Sequence, residues 1–406
     1  MDKIEVRIAI VGLGYVGLPL LCLFSKSFDS WGFDINVNRL ESLKMGIDLK
    51  NCVSCDELKY INTRNLTSKW NDIKNCDIFI VAAPTPIDER QQPDLSILTN
   101  ICEHIGSIIK AGAVVVFEST VAPGTTEEIF VPIIEKKSGM ELNKSFFVGY
   151  SPERINIGDI THTLKSVPKI VSASNDNTRR MLSSVYGTAL GCKIVLASSI
   201  KVAEAAKVYE NVQRDVLIAL ANQYSDYCKA DGIDICEVTK CASTKWNFAE
   251  VYPGLVGGHC IGVDSYYLID RCNTLGVSLP LLKCARSLND ELHKKVSDII
   301  INVLGNNKRA KVLLLGIAYK PNIGDIRNSK VLQVISRISQ SIEQVFMYDP
   351  LVCPADLPSE YTHRLLLNLP IETEWDLVIT MVKHTAFNEV LASLNYKKQI
   401  ALSDLL

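Results

Sequence analysis

The segment Tyr252-Pro-Gly254-Leu-Val-Gly257-Gly258-His259-Cys260-Ile-Gly262-Val-Asp264 sets one thiol among four glycines. Glycines carry no side chain, so a ligand and the backbone can come close there. A cysteine in such a place can act as a covalent nucleophile where nearby positive charge favours its thiolate; otherwise it is a structural thiol in a glycine turn. Lys207 is one source of that charge. His259 is a weaker one, because neighbours in an extended loop point apart. Lys207, Asn211 and Arg214 stand at i, i+4 and i+7, on one face of a helix. From spacing alone, such a polar stripe reads as a solvated face.

A second constellation lies near the start. Gly12-Leu-Gly14-Tyr15-Val16-Gly17 is G-x-G-x-x-G between an apolar run, Val6 to Val11, and a second apolar run to Phe24. In a strand–turn–helix unit, Gly12 permits the tight turn, Gly14 lets a pyrophosphate approach and Gly17 lets the helix pack on the strand. The helix N-terminus then offers N–H groups to the phosphates. Asp34, at the end of a further strand over Trp31 to Phe33, can hold ribose hydroxyls and repel a 2′-phosphate, which favours NAD over NADP. Arg39 argues the other way, since an arginine there can accept that phosphate.

The elements that must position these residues alternate. Strands are expected over Asp77–Ala83, Ala113–Phe117 and Phe146–Gly149, then Lys311–Leu315, Val345–Tyr348, Asp376–Met381 and Ile400–Leu402. Thr85, Thr120 and Glu153 follow predicted strands, the position where ligands sit in doubly wound sheets. Thr125 and Glu128 have capping-box spacing. Residues Ser199 to about Ala230 lack Pro and Gly and read as one long helix. Lys320, Arg327 and the start of a helix from about Val331 make either an anion cradle after a strand or a charged connection between strand and helix. The fold expected is α/β: two Rossmann-like, doubly wound parallel-sheet domains joined by a long central helix in a helical middle domain. The boundaries are 1–198 for the dinucleotide-binding domain, 199–300 for the central and dimerisation domain, and 301–406 for the C-terminal domain.

Composition fits a globular protein: 406 residues, 47% hydrophobic and 22% charged, with a net charge of -2 that does not suggest a nucleic-acid binder. Thirteen dispersed cysteines read as reduced, cytosolic thiols, and the single C-x-x-C, Cys52 and Cys55, has no second pair to complete a zinc site. No metal is expected. The uncharged stretch Ile8 to Phe24 imitates a signal-peptide core or a short membrane span, but its glycines are explained by the dinucleotide turn.

The chain resembles the UDP-glucose/GDP-mannose dehydrogenase family over nearly its whole length. The carrying segments are GLGYVGLP (12–19), APTP (83–86), ESTVAPGTT (118–126), SPERINIGD (151–159), EAAKVYENVQRD (204–215), GLVGGHCIGVD (254–264) and AYKPNIGDIRNS (318–329). SPERINIGD, KWNF (245–248) and GLVGGHCIGVD look most like the UDP-N-acetylhexosamine 6-dehydrogenase branch, which makes uronic acids for capsule, Vi-type and O-antigen polysaccharides. The resemblance implies a cytoplasmic homodimer that oxidises C6 from alcohol to carboxylate with two NAD+. It implies Cys260 as nucleophile. Lys207 and Asn211 would be oxyanion donors, and Asp264, Thr120 and Glu153 would align water. Gly12, Gly14, Tyr15, Val16, Gly17, Asp34, Arg39, Thr85, Thr120, Glu153 and Arg327 would meet NAD. Glu153, Arg154, Lys207, Asn211, Arg214, Tyr252, Gly254, Gly257, Gly258 and Lys320 would meet the UDP-sugar. Ser265 stands where this branch usually has Pro, and Val263 where UDP-glucose enzymes often carry Lys. UDP-N-acetylmannosamine and UDP-glucose remain alternative substrates, and a catalytically inactive nucleotide-sugar sensor is the alternative from another class.

Overall fold

The structure is a computed structural model and describes residues 4–50, 52–88, 90–155, 159, 161–305 and 307–406. The chain divides into two compact units, Met1–Glu210 with Tyr266–Arg271, and Asn211–Ser265 with Cys272–Leu406.

The first unit is built on eight strands: β1 (Ile4–Val11), β2 (Phe28–Phe33), β3 (Leu66–Thr67), β4 (Ile78–Val81), β5 (Val114–Phe117), β6 (Phe147–Tyr150), β7 (Lys169–Ala173) and β8 (Ile194–Leu196). Their order in the sheet is β3-β2-β1-β4-β5-β6-β7-β8, parallel except between β6 and β7. The order reverses between β1 and β4, so the crevice for a ligand opens beyond their carboxyl ends. Alternate residues of each strand feed opposite faces. Ile8, Ile10, Ile78, Ile80, Val114 and Val116 join one core, and Ala9, Val11, Phe79, Val81, Val115 and Phe117 the other. Each of the Ile, Val and Phe side chains, taken fully out of water, contributes about 1.5–3 kcal/mol. Double-sided burial is why these strands read as continuous apolar runs.

One expectation is met here and two need correction. The apolar stretch Ile8–Phe24 is β1, the glycine turn and a buried helix, Gly17–Phe24. Among the described residues no helix is long and apolar enough to cross a membrane. The capping box at Thr125 and Glu128 does not form: Thr125 is helical (φ -59°, ψ -43°) and makes no capping bond, and Thr126–Phe130 is a π-helical turn. Pro132 explains the wide turn, since it lacks the N–H that would continue the ladder. The Glu128 N–H goes to the Gly124 carbonyl instead, and Glu204 of the long helix accepts the neighbouring N–H groups of Gly124 (2.5 Å) and Thr126 (3.0 Å). Glu128 turns outward to Arg271 and Lys201, which hold its carboxyl down at about 2. Finally, β7, β8 and the helix Asp176–Leu190 between them add to the elements expected from sequence.

The second unit carries β9 (Lys311–Leu315), β10 (Gln344–Tyr348), β11 (Glu374–Trp375), β12 (Leu377–Thr380), β13 (Asn395–Tyr396) and β14 (Gln399–Ala401). Its main sheet runs β10-β9-β12-β14, all parallel, and β11 pairs with β13 apart from it. Here the order reverses between β9 and β12, which sets a second switch point at Gly316 and Met381.

A helix over Ile200–Asp231 has 32 residues, about 48 Å at 1.5 Å per residue. Of the stripe Lys207, Asn211 and Arg214, the first two are buried, contrary to the solvated face expected from spacing, and Arg214 is exposed as expected. Glu204, Lys207, Asn211, Asp215, Asn222 and Ser225 are all buried, while Tyr209 is 70% and Leu220 57% exposed. A helix that buries its polar residues and exposes apolar ones is organised around a polar centre.

Candidate active site

In the first unit the glycine turn is closed by geometry that only glycine tolerates. Gly12 has φ +94°, and a Cβ there would stand 2.9 Å from the Ala82 carbonyl oxygen. A Cβ on Gly17 would overlap the Gly12 carbonyl oxygen at 1.8 Å. Gly14 differs, because a Cβ on it would meet nothing within 4 Å. Its backbone therefore borders open space, as a pyrophosphate cradle requires. Asp34 is fixed beside the turn: Oδ2 accepts the Leu13 N–H (2.9 Å) and Oδ1 the Asn36 N–H (2.8 Å). Arg39 is buried, donating Nη1 to Asp48 (2.5 Å) and Nε to the Leu13 carbonyl (3.2 Å). Its charge is thus matched within the protein, which weighs against a 2′-phosphate and for NAD. Tyr15 and Val16 complete the turn, half-buried.

Beyond β4, β5 and β6, Thr85 and Thr120 are half-buried, and Ser119 beside Thr120 donates to the Ala83 carbonyl (2.6 Å). Glu153 is nearly buried. Its Oε1 accepts the N–H groups of Arg154 and Ile155, both at 2.6 Å, and its Oε2 faces Lys169 Nζ at 3.4 Å. Lys169 also bonds Glu118, which accepts from the Tyr186 hydroxyl at 2.6 Å. Burial alone would push the Lys169 ammonium down, but Glu118 and Glu153 together hold it above its ordinary range. Arg154 is engaged by Glu210 through Nη2 (2.5 Å) and by the Pro168 carbonyl (3.0 Å). Residues 156–158 of the SPERINIGD segment lie outside the described residues. Lys207 is only 8% exposed and forms no ion pair or side-chain hydrogen bond among the described residues. Its Nζ is not among the buried polar atoms that lack a partner, so the stem is covered while the ammonium keeps contact with solvent.

In the second unit Cys260 is exposed and immediately precedes the helix Ile261–Thr274. The extended loop expected around it is instead a turn. The Cys260 carbonyl accepts the N–H groups of Val263 (3.0 Å) and Asp264 (2.8 Å). Asp264 therefore sits one turn along from the thiol, buried, with Oδ2 accepting from Asn211 Nδ2 at 2.5 Å. Arg214 Nη2 donates to the other end of the Asn211 amide (3.2 Å). The two glycines just ahead of Cys260 are packing requirements, whereas a Cβ on Gly254 would meet nothing within 4 Å. Gly258 has φ +80° with the Tyr319 ring 2.8 Å from its missing Cβ, and a Cβ on Gly257 would lie 2.9 Å from the Asn328 carbonyl oxygen.

Gly254, Gly257, Tyr319, Lys320, Lys330 and Lys383 line a cleft of about 270 Å³ at the β9/β12 switch point. Three lysines in one cleft suit a diphosphate. The strand-end loops are braced from below. Asp349 accepts the N–H groups of Ile317 (2.8 Å) and Ala318 (3.2 Å), and meets His384 Nε2 at 3.0 Å, while His384 Nδ1 accepts the Asn322 N–H (2.8 Å). Arg327 lies against Asp325, Nη2 to Oδ2 at 2.5 Å. Tyr252, 38% exposed, donates to Glu250 (2.7 Å).

Sequence reasoning missed Glu118, Lys169 and Tyr186, whose meeting depends on β6–β7 pairing, and Lys330 and Lys383 of the cleft. It also missed Asp215, although i+4 from Asn211 was a readable signal. Asp215 is fully buried and accepts from Arg286 and Asn289.

The sequence model for the NAD binding domain of the UDP-glucose/GDP-mannose dehydrogenase family matches residues 6–190. Those for the family's central domain and UDP binding domain match 201–291 and 313–403. The chain is 42% identical over 390 residues to a UDP-N-acetyl-D-glucosamine 6-dehydrogenase of Pseudomonas aeruginosa, covering 95% of this chain and 92% of that one. It is 40% identical, with the same coverage, to a protein of the same description from Salmonella typhi. The solved structure of a UDP-D-ManNAc dehydrogenase from Pyrococcus horikoshii superposes with a TM-score of 0.85 at 27% identity, covering 98% of this chain and 95% of that one. NAD is the cofactor that the matched domain and the glycine turn share. On the glycine turn, the buried polar helix and three matched regions in order, this chain belongs to the UDP-glucose/GDP-mannose dehydrogenase family.

Proposed function

We propose that this protein oxidises C6 of a UDP-N-acetylhexosamine, UDP-N-acetylglucosamine or UDP-N-acetylgalactosamine, from alcohol to carboxylate. The observation that carries the reading is the exposed Cys260 one helical turn from a buried Asp264 bonded to Asn211. A one-step alcohol dehydrogenase has no use for a thiol in that setting. NAD+, when bound, accepts one hydride in each of two rounds. In the first round the C6 hydroxyl gives its proton to Lys207 or to a water. The Cys260 thiolate then adds to the aldehyde carbon, forming a C–S bond and a thiohemiacetal whose oxygen faces donors on Lys207 and Asn211. Loss of the second hydride gives a thioester. Water positioned by Asp264, Thr120 and Glu153 adds to it, the C–S bond breaks, and the uronic acid leaves with the thiol restored.

In this reading Gly12, Gly14, Tyr15, Val16, Gly17, Asp34, Arg39, Thr85 and Arg327 serve NAD, while Arg154, Arg214, Tyr252, Gly254, Gly257, Gly258 and Lys320 serve the nucleotide-sugar. We assign 1–198, 199–300 and 301–406 to cofactor binding, the central helical region and UDP binding. The exposed Tyr209 and Leu220 of the long helix support a homodimer, and the family resemblance supports placing the reaction in the cytoplasm as a supply of uronic acid for surface polysaccharide. UDP-N-acetylmannosamine is the second candidate substrate, favoured by the Pyrococcus horikoshii superposition. NADH counted per sugar over a panel of UDP-hexoses and UDP-N-acetylhexosamines, with the product mass, tests the reading. Two NADH and an acid are expected from a gluco or galacto N-acetyl sugar. One NADH per sugar contradicts two-step oxidation, and none with any sugar indicates a sensor.

A further inference from the structure

Asn211 and Asp215 are one turn apart on the long helix, and Asp264 and Ser265 are consecutive in the first turns after Cys260. The two pairs meet. Asn211 Nδ2 donates to Asp264 Oδ2 (2.5 Å), and Ser265 Oγ donates to Asp215 Oδ2 (2.6 Å). Both rungs are buried, and Ser265 is fully so. Asp215 cannot drift, because its other oxygen accepts from Arg286 Nη1 and from Asn289 Nδ2 (2.8 Å). From there two arms reach the nucleotide cleft. Arg286 Nε donates to Asp290 (3.0 Å), which accepts from Lys330 of the cleft wall (2.9 Å). Asn289 accepts from Asn222 (3.1 Å), which in turn binds both the N–H (2.8 Å) and the carbonyl (3.2 Å) of Gly254.

We propose that Ser265 is a positioning residue: through Asp215 it holds the start of the Cys260 helix in register with Asn211 and with the cleft wall. The inference rests on the proposed thioester reading. Two rungs from consecutive residues fix the rotation of the helix start about its axis more closely than one rung does, and catalysis by proximity requires the thiol to be held so. Loss of the Ser265–Asp215 rung allows the half-oxidised aldehyde to leave before the thiolate captures it.

The experiment measures NADH per sugar, free aldehyde trapped with a hydrazine, and kcat per titrated Cys260 thiol in wild type, Ser265→Ala and Ser265→Thr, using the wild type's best UDP-sugar. Ser265→Ala is expected to lose roughly tenfold to a hundredfold in kcat, the range for a small misplacement. It should also release aldehyde and fall below two NADH per sugar, while Ser265→Thr, which keeps the hydroxyl, returns to two. A merely structural defect lowers the amount of active enzyme but leaves the ratio at two. A ratio of two in Ser265→Ala overturns the proposal whatever its rate. Cys260→Ser, run in parallel, separates the failures: if it yields acid like the wild type, the thioester reading is at fault, not the Ser265 inference alone.

Discussion

Glu204 should make the protein lose stability as pH rises from about 4.5 towards 8. Its carboxyl is fully buried against the Gly124 and Thr126 amides. Burial pushes it up from 4.5 to about 7, against the opposing pull of the Thr126 and Gly124 donors. The folded protein therefore keeps a proton that the unfolded chain releases. The stabilisation is fully present below 4.5 and is lost as pH rises through about 7. At 1.36 kcal/mol per pH unit, that interval corresponds to about 3 kcal/mol. Glu204→Gln cannot titrate, so the comparison isolates this group from the other carboxyls. Thermal unfolding of both proteins across this pH range is the assay. The wild type's advantage over Glu204→Gln should shrink with rising pH by about 3 kcal/mol, or about 6–12 °C in Tm for a unit of roughly 200 residues. A gap between the two that is constant, or that widens with pH, refutes the reasoning.

Other consequences can be checked separately. Asp34→Ala removes the acceptor that meets the Leu13 and Asn36 amides, so KM for NAD should rise about tenfold and the NAD/NADP ratio of kcat/KM should fall; an unchanged ratio refutes its role. Lys169→Met strands Glu118 without its cation and should destabilise by about 3–5 kcal/mol in urea unfolding, while Lys169→Met with Glu118→Gln should recover much of that. A single variant within 1 kcal/mol of the wild type, by the same scale, contradicts the buried pair. Gly258→Ala meets both a left-handed φ of +80° and the Tyr319 ring, so about 1–2 kcal/mol of backbone strain plus overlap should lower Tm and raise KM for the UDP-sugar. A variant with unaltered Tm and KM shows that the ring gives way freely.

The parts of the fold written in local pattern were legible. β1, the glycine turn and the helix after it are a contiguous signal, and the long helix differs by one residue at each end from the expectation over Ser199 to Ala230. What depends on distant pairing was not. β7 begins with Lys169, which looks like a solvated strand end until Glu118 and Glu153 arrive from other strands. The polar stripe of the long helix was read as solvated because spacing says which residues share a face, not which way the face points. The capping box failed because its donors are taken by the backbone, the Glu128 N–H by the Gly124 carbonyl and the Thr125 N–H by the Ala122 carbonyl, while Glu204, about eighty residues away, holds the neighbouring amides of Gly124 and Thr126. Asp264 was placed in a loop because three glycines conceal the helix start that the Cys260 carbonyl creates.

The most direct test of the account is the yield of uronic acid from Cys260→Ser supplied with the wild type's best UDP-N-acetylhexosamine and excess NAD+, with NAD binding verified by nucleotide titration. Cofactor binding intact and acid formation abolished is the predicted result. Acid made at the wild-type rate would contradict the claim that this thiol carries the sugar between its two oxidations.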